Sequence, residues 1–267
     1  MKITIIGCGN MGLAYARSFR KYHIAKQDEL LLVVRDPAKR VALEALGLGQ
    51  VLPLIDVRIA ESEIVVVAVK PQDYGAIVPA LAGALRSDQI VLSIMAGITL
   101  QRLQDSLSQR MVVRAMPNSP AQIGMGITAY TTAHDLTMRQ VITVERLLNS
   151  TGRSIHLEKE DQLNAVTALS GSGPAYIFHM AKVLLETGRA MGLEEHVAAA
   201  LVQQTMLGAV HLMDHSDLSL DALVHAVTSK GGTTEAAFAV FEQGDLEGVL
   251  MRGIKAAEQR SKELSSS

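Results

Sequence analysis

The N-terminal run ITIIGCGNMGLAYARSF places Gly7, Gly9 and Gly12 in G-x-G-x-x-G spacing, directly after an apolar run and directly before a helical stretch. In a dinucleotide fold the first glycine permits a tight turn, the second lets the backbone approach a pyrophosphate, and the third lets helix and strand pack closely. The pyrophosphate then sits at the positive end of the helix. A plain glycine-rich turn is the alternative, and the strand and helix on either side favour the phosphate site. Cys8, between the first two glycines, reads as a small filler rather than a nucleophile.

A second chemistry-bearing stretch lies more than two hundred residues later. VTSKGGTTEAA, residues 227 to 237, interrupts a helical region with Gly231 and Gly232 and with the hydroxyl residues Thr228, Ser229, Thr233 and Thr234. A link between helices does not require so many of either. A helix start with unpaired backbone donors stabilises an anion, so this segment is either a connection or a site for a carboxylate. Elsewhere no histidine, cysteine or tyrosine stands out as a catalytic group. His211 and His215 lie at i, i+4 around Asp214, a spacing compatible with a metal. No glutamate follows the first histidine and no third ligand is evident, so a solvated helix face and no metal is the expectation.

The end of the second apolar run reports on the cofactor. An acidic residue there binds a ribose 2'-hydroxyl, whereas arginine favours a 2'-phosphate. The chain has Arg35, with Lys39 and Arg40 close behind, and Asp36 between them; we expect NADPH, with NADH as the alternative.

Short, continuous, β-branched runs position these residues: Ile3 to Ile6, Leu30 to Val34, Ile64 to Val69, Ile90 to Ile94 and Met111 to Arg114. Continuous apolar runs suit strands buried on both faces, as in parallel sheets covered by helices. Residues 1–152 therefore read as a doubly wound α/β domain of Rossmann type. From about Arg153 the strand signal disappears, and residues 153–267 read as all-helical; Leu220, Leu223, Val224 and Val227 form one apolar stripe. No linker separates the halves, which places the expected cleft at their boundary, and the tail Ser265 to Ser267 is expected to fray.

Composition narrows the function classes. The chain has 267 residues, 25 basic and 27 acidic, for a formal net charge of -2, without the basic excess of nucleic-acid or anionic-membrane binding. Small neutral or anionic ligands fit better than polymers. A lone cysteine allows no intrachain disulfide and points to a reducing compartment. The aliphatic runs end well short of the roughly 20 residues a membrane helix requires, and no leader peptide is read at the N-terminus. A soluble, cytoplasmic protein is the expectation.

Several stretches together carry a family resemblance: GCGNMG at 7 to 12, AVKPQD at 68 to 73, RAMPNSPAQIGMG at 114 to 126, ALSGSGPAY at 168 to 176 and TSKGGTTEAA at 228 to 237. In this order they resemble the pyrroline-5-carboxylate reductases, over essentially the whole chain. The resemblance implies a dinucleotide domain plus a helical substrate-binding and dimerisation domain. It also implies reduction of the cyclic imine 1-pyrroline-5-carboxylate to L-proline by NAD(P)H, the last step of proline biosynthesis, by a homodimer or a larger homo-oligomer.

Residue roles follow by resemblance. Asn10 and Met11 join the glycines in the phosphate loop. Lys70 and Pro71 end a strand beside the riboses, although Lys70 also suits an ordinary strand end. Ala96 and Gly97 would let the nicotinamide approach, and Met116, Pro117 and Asn118 would orient its ring; the latter segment also suits a rigid turn. SGSGP also suits the plain start of a helix at Pro174, although Ser170 to Gly173 then supply more flexibility than a start requires. Ser229, Gly231, Gly232 and Thr233 would surround the substrate carboxylate, Thr234 would reach the imine nitrogen as the catalytic hydrogen-bonding group, and Glu160 would contact the ring or its nitrogen. Lys230 stands where proline is common in the family, and Asn164 where aspartate is expected, which leaves a local polar network open. The rival readings are a β-hydroxyacid dehydrogenase, a reductase of a related ring imine, and a nucleotide sensor without turnover. The first lacks its lysine-to-asparagine spacing, since Lys182 is followed by Glu186.

Overall fold

The computed structural model describes residues 1–133 and 136–266, the Ser266 side chain excepted. The chain divides into two compact units, Met1–Ser172 together with Ala257–Ser267, and Gly173–Ala256.

The first unit is built on a sheet of strands β1 (Ile3–Ile6), β2 (Leu30–Val33), β3 (Gln50–Leu52), β4 (Ile64–Val67), β5 (Ile90–Ser93), β6 (Val112–Met116), β7 (Gly126–Thr132) and β8 (Gly152–His156). Their order is β3-β2-β1-β4-β5-β6-β7-β8. The pairs from β3 through β6 are parallel, β7 runs antiparallel to β6, and β8 is parallel to β7. The order reverses direction at β1, which is the doubly wound arrangement expected from the continuous apolar runs. Helices α1 (Asn10–Lys21), α2 (Pro37–Ala45), α3 (Pro71–Ala84), α4 (Leu100–Leu107), α5 (Met138–Asn149) and the short α6 (Gln162–Val166) complete this unit, followed by a π-helical segment at Thr167–Gly171. Alternate residues of each strand enter different cores. Ile3, Ile5 and Val66 pack with Tyr15 and Phe19 on one side, and Ile6, Val65 and Val67 pack with Tyr74 and Leu81 on the other. Both faces are covered, so every residue of β1, β2 and β4 is buried.

The strand signal does not end at residue 152. β8 has the sequence GRSIH and is largely exposed, because it lies at the edge of the sheet and needs no apolar run. This strand and α6 stay with the sheet, so the compact unit extends to Ser172 rather than to 152.

The second unit contains α7 (Gly173–Ala190), α8 (Glu195–Asp214), α9 (Leu220–Ala226), α10 (Thr233–Gln243) and the start of α11 (Leu246–Ser266). The all-helical reading holds from Gly173 on. Among the described residues, no helix is long and apolar enough to cross a membrane. At the tail, Ser265 is helical and its hydroxyl is 3.0 Å from the Ser261 carbonyl; Ser267 lies outside the described residues.

Candidate active site

The glycine loop performs three separate steric tasks. Gly7 has φ +91, and a Cβ there would come within 2.9 Å of the Ala68 backbone. A Cβ on Gly12 would run into the carbonyl oxygen of Gly7, so α1 can start this close to β1 only with glycine at that position. Gly9 is different: its φ of -71 suits any residue, and a Cβ there would meet nothing within 4 Å. The space left by its missing side chain opens in front of the α1 N-terminus. The first turn of α1 contains no acidic residue, and the amides of a first turn have no carbonyl partner within their own helix. This is a cradle for a phosphate group.

A cavity of about 440 Å³ continues from the loop, lined by Gly7, Gly9, Val34, Arg35, Lys39 and Lys70 among others, within the usual size range of a cofactor site. Asp36 does not have the environment of a free ribose acceptor. Its Oδ1 accepts from the amides of Ala38 at 2.9 Å and Lys39 at 3.2 Å, capping α2 ahead of Pro37. The Arg35 guanidinium stands 3.6 Å from Asp73 Oδ1 with both groups largely exposed; such a pair contributes roughly 0 to 1 kcal/mol, which leaves Arg35 available to a ligand. Asp73 was not singled out by the sequence because its partner is on another strand end. Lys70 is the N-cap of α3 and Pro71 its first residue. Cys8 lines the same cavity, and burial pushes its thiol up to about 12. A thiol held protonated at neutral pH is a weak nucleophile, in keeping with its reading as a filler.

Beyond the loop, the ends of β5 and β6 place other expected residues in close packing contacts and hydrogen bonds. Gly97, φ +74, has Leu264 of α11 against it, and a Cβ would lie 3.0 Å from the Leu264 carbonyl oxygen. Its lack of a side chain is therefore required by packing. Met116 reaches Gly171 so closely that a Cβ there would be 2.5 Å from the methionine methyl. Pro117 is buried. Asn118 donates to Ser170 Oγ at 3.3 Å and accepts from the Ile127 amide at 3.0 Å, tying the segment after β6 to β7 and to the π-helical turn.

Glu160 has partners within this unit. Its Oε1 accepts from Arg114 at 2.8 Å and from the Leu100 amide at 2.8 Å, so the same oxygen serves a buried guanidinium and the start of α4. Asn164 Oδ1 accepts from Ser261 at 2.9 Å and Ser265 at 3.2 Å, which completes the polar network left open by its departure from aspartate. The sequence signal for Arg114 is a lone cation inside the otherwise apolar strand β6.

In the second unit, Gly232 is the N-cap of α10 and makes no side-chain cap. Gly231 has φ +74. Its amide is held by Glu235 Oε2 at 2.7 Å, and the Gly232 amide by the Ser229 carbonyl at 2.9 Å. The expected carboxylate donors Gly231 and Gly232 are thus engaged locally. Helix geometry leaves the amides of Thr233 and Thr234 without an intrahelical partner, beside the hydroxyls of Ser229, Thr233 and Thr234. A Cβ on Gly232 would collide with Ser229 Oγ at 2.5 Å, so glycine here lets that hydroxyl lie across the helix start. Lys230 is exposed.

A doubly wound sheet with a phosphate cradle at its switch point and a cavity holding Arg35, Lys39 and Lys70 beside it defines an NAD(P)-dependent oxidoreductase, and residues 2–97 match the family model for NADP oxidoreductase, coenzyme F420-dependent. Residues 160–264 match the model for pyrroline-5-carboxylate reductase dimerisation. The chain belongs to the pyrroline-5-carboxylate reductase family. It is 34% identical to the pyrroline-5-carboxylate reductase of Pseudomonas aeruginosa, covering 99% of this chain and 97% of that protein. It is equally 34% identical to that of Pisum sativum, over 98% of this chain and 96% of the relative. Among solved structures, the pyrroline-5-carboxylate reductase of Coxiella burnetii matches with a TM-score of 0.88 at 31% identity, covering 100% and 99% of the two chains. The Plasmodium falciparum pyrroline carboxylate reductase, solved with NADP bound, matches with a TM-score of 0.90 at 26% identity, covering 99% and 98%.

Proposed function

We propose that this protein reduces 1-pyrroline-5-carboxylate to L-proline with NADPH, in the cytoplasm and as a homodimer. The observation that carries the chemistry is the start of α10, where Gly232 caps without a side chain and hydroxyl residues surround amides with no helical partner. That is a receptor for a small carboxylate, and membership of the family supplies the substrate.

Bound NADPH supplies a hydride for the carbon of the C=N bond. The residues of this chain hold and orient the reactants. The amides of the loop from Gly7 to Gly12, including Asn10 and Met11, receive the pyrophosphate. Arg35 takes the 2'-phosphate, while Lys70 and Pro71 flank the riboses. The turn at Ala96 and Gly97 and the segment Met116, Pro117 and Asn118 support the nicotinamide end. Ser229, Thr233 and the glycines Gly231 and Gly232 shape the carboxylate receptor, to which the Thr233 and Thr234 amides donate. The Thr234 hydroxyl hydrogen-bonds the substrate nitrogen, and Glu160 orders the surrounding segments through Arg114. A protonated imine already accepts hydride well, so orientation and charge stabilisation suffice without a strong general acid.

The dimer follows from unpaired apolar surface. In α7 to α10 Phe178 is 67% exposed and Val240 63%, and Ala198 is the buried apolar residue among the described residues 173–256. A patch of this kind marks a protein interface, and the self-complementary partner is a second copy.

Purified protein mixed with 1-pyrroline-5-carboxylate and NADPH is expected to consume the cofactor and form proline, followed by loss of dihydronicotinamide absorbance and by amino-acid analysis. No oxidation of NADPH or NADH would overturn the reading. Cofactor choice has its own test. Arg35→Ala is expected to raise the KM for NADPH by about tenfold, since a hydrogen bond to a charged group contributes about 1.5 to 3 kcal/mol, with little change for NADH. An equal effect on both cofactors would remove Arg35 from phosphate recognition.

A further inference from the structure

We propose that Arg114 is a positioning residue that sets the spacing of the segments around the nicotinamide end of the site, acting through Glu160 and the C-terminal serines. The inference rests on the reductase reading above and adds to it a residue with no contact to either reactant.

Arg114 is 3% exposed on β6. Its register neighbours are Ser93 on β5 and Thr131 on β7, and both are buried. A polar row therefore crosses the strands near the carboxyl ends of β5 and β6, where open α/β sheets place their ligands. A guanidinium at this depth is expensive to desolvate and adds no fold stability that a methionine could not supply.

The connections made by this one side chain are specific. One guanidinium nitrogen donates to Glu160 Oε1 at 2.8 Å, and the same oxygen accepts from the Leu100 amide. Leu100 opens α4, immediately after the turn containing Ala96, Gly97 and the N-cap Thr99. The other nitrogen lies 3.4 Å from Ser265 Oγ, and Ser265 shares Asn164 Oδ1 with Ser261. Asn164 belongs to α6, which leads into the π-helical turn whose Ser170 holds Asn118. Two residues beyond Arg114 on its own strand is Met116, packed on Gly171. Both segments assigned to the nicotinamide end thus connect to Arg114: the Ala96–Gly97 turn through Glu160 and Leu100, and Met116 to Asn118 along β6 itself and through Ser265, Asn164 and Ser170. Misplacement of reacting groups by about 1 Å costs on the order of 100-fold in rate.

The test uses the Arg114→Met/Glu160→Gln double variant, which removes both charges, keeps an acceptor for the Leu100 amide and leaves no buried charge alone. Wild-type protein must first turn over 1-pyrroline-5-carboxylate with NADPH; failure there overturns the reductase reading and, with it, this inference. With wild-type turnover in hand, the double variant is expected to keep its melting temperature to within a few degrees. It should bind adenosine 2',5'-bisphosphate, the half of NADPH without nicotinamide, as wild type does, and its kcat should fall about 100-fold. Arg114→Lys, which keeps one contact, should recover part of the loss. Unchanged kcat overturns the proposal, as does a loss of kcat matched by an equal loss of bisphosphate affinity, which would mean general damage to the sheet. Should the double variant not fold, Ser261→Ala/Ser265→Ala decides: a lower kcat at unchanged bisphosphate affinity supports the proposal, and a wild-type kcat overturns it.

Discussion

Gly9→Ala is expected to lower NADPH affinity by about 100-fold while leaving the melting temperature of the protein unchanged. The added methyl meets no protein atom within 4 Å, and the backbone at Gly9, φ -71 and ψ -167, is one alanine adopts without strain. Nothing in the folded chain resists the substitution. The methyl instead projects into the open space before the α1 amides, which is where the backbone must approach the pyrophosphate. Pushing a phosphate back from a first-turn amide removes charge-assisted hydrogen bonds, each about 1.5 to 3 kcal/mol, and one or two such losses give the stated factor. Gly12→Ala should behave differently, because its methyl collides with the Gly7 carbonyl oxygen. Overpacking of this kind costs about 1 to 3 kcal/mol, so affinity and melting temperature should fall together. Calorimetric titration with NADPH beside thermal melts separates the two cases. A Gly9→Ala protein that binds NADPH as wild type does would mean that the pyrophosphate lies elsewhere.

The contrast between these glycines also shows what was legible in the sequence. Their spacing after an apolar run identified the loop, because the turn, the approach and the helix contact are all local events. The strands β1, β2, β4 and β5 were legible for a related reason: burial on both faces demands continuous apolar runs. β8 was not, since an exposed edge strand can be GRSIH and still pair. The boundary between the units was misplaced with it. The Glu160 contact was illegible for a different reason. Its partner Arg114 is 46 residues away in sequence, and the partners of Asn164 are 97 and 101 residues away. No local pattern reports such a pairing. A motif such as RAMPN marks where a charged residue is needed, but only the fold shows whether it faces a ligand or another side chain. The same holds for Gly231 and Gly232, whose amides were assigned to a carboxylate and are used by Glu235 and Ser229. What remains for the substrate is narrower, and it shifts the chemical weight to the threonines that follow.

Thr234→Ala is therefore the substitution with the sharpest consequence for turnover. Thr234 is the second residue of α10, a position where its hydroxyl is not needed to cap the helix and where alanine is a good helix former. The fold should tolerate the change. The proposed hydrogen bond to the substrate nitrogen is made to a group whose charge changes during reaction, so its strength changes between ground state and transition state. Interactions of that kind alter kcat rather than binding alone. A bond to a charged partner contributes about 1.5 to 3 kcal/mol, which corresponds to roughly 10- to 100-fold in rate at about 1.4 kcal/mol per tenfold. We expect kcat to fall by that factor, with NADPH affinity unchanged because the cofactor cradle is in the other compact unit. Thr234→Ser, which keeps the hydroxyl, should restore most of the rate, whereas Thr234→Val, which keeps the shape, should not. Steady-state kinetics with both reactants varied distinguishes these outcomes. If Thr234→Val retained wild-type kcat, the hydroxyl would have no part in the chemistry, and the start of α10 would be reduced to a carboxylate receptor built from its amides.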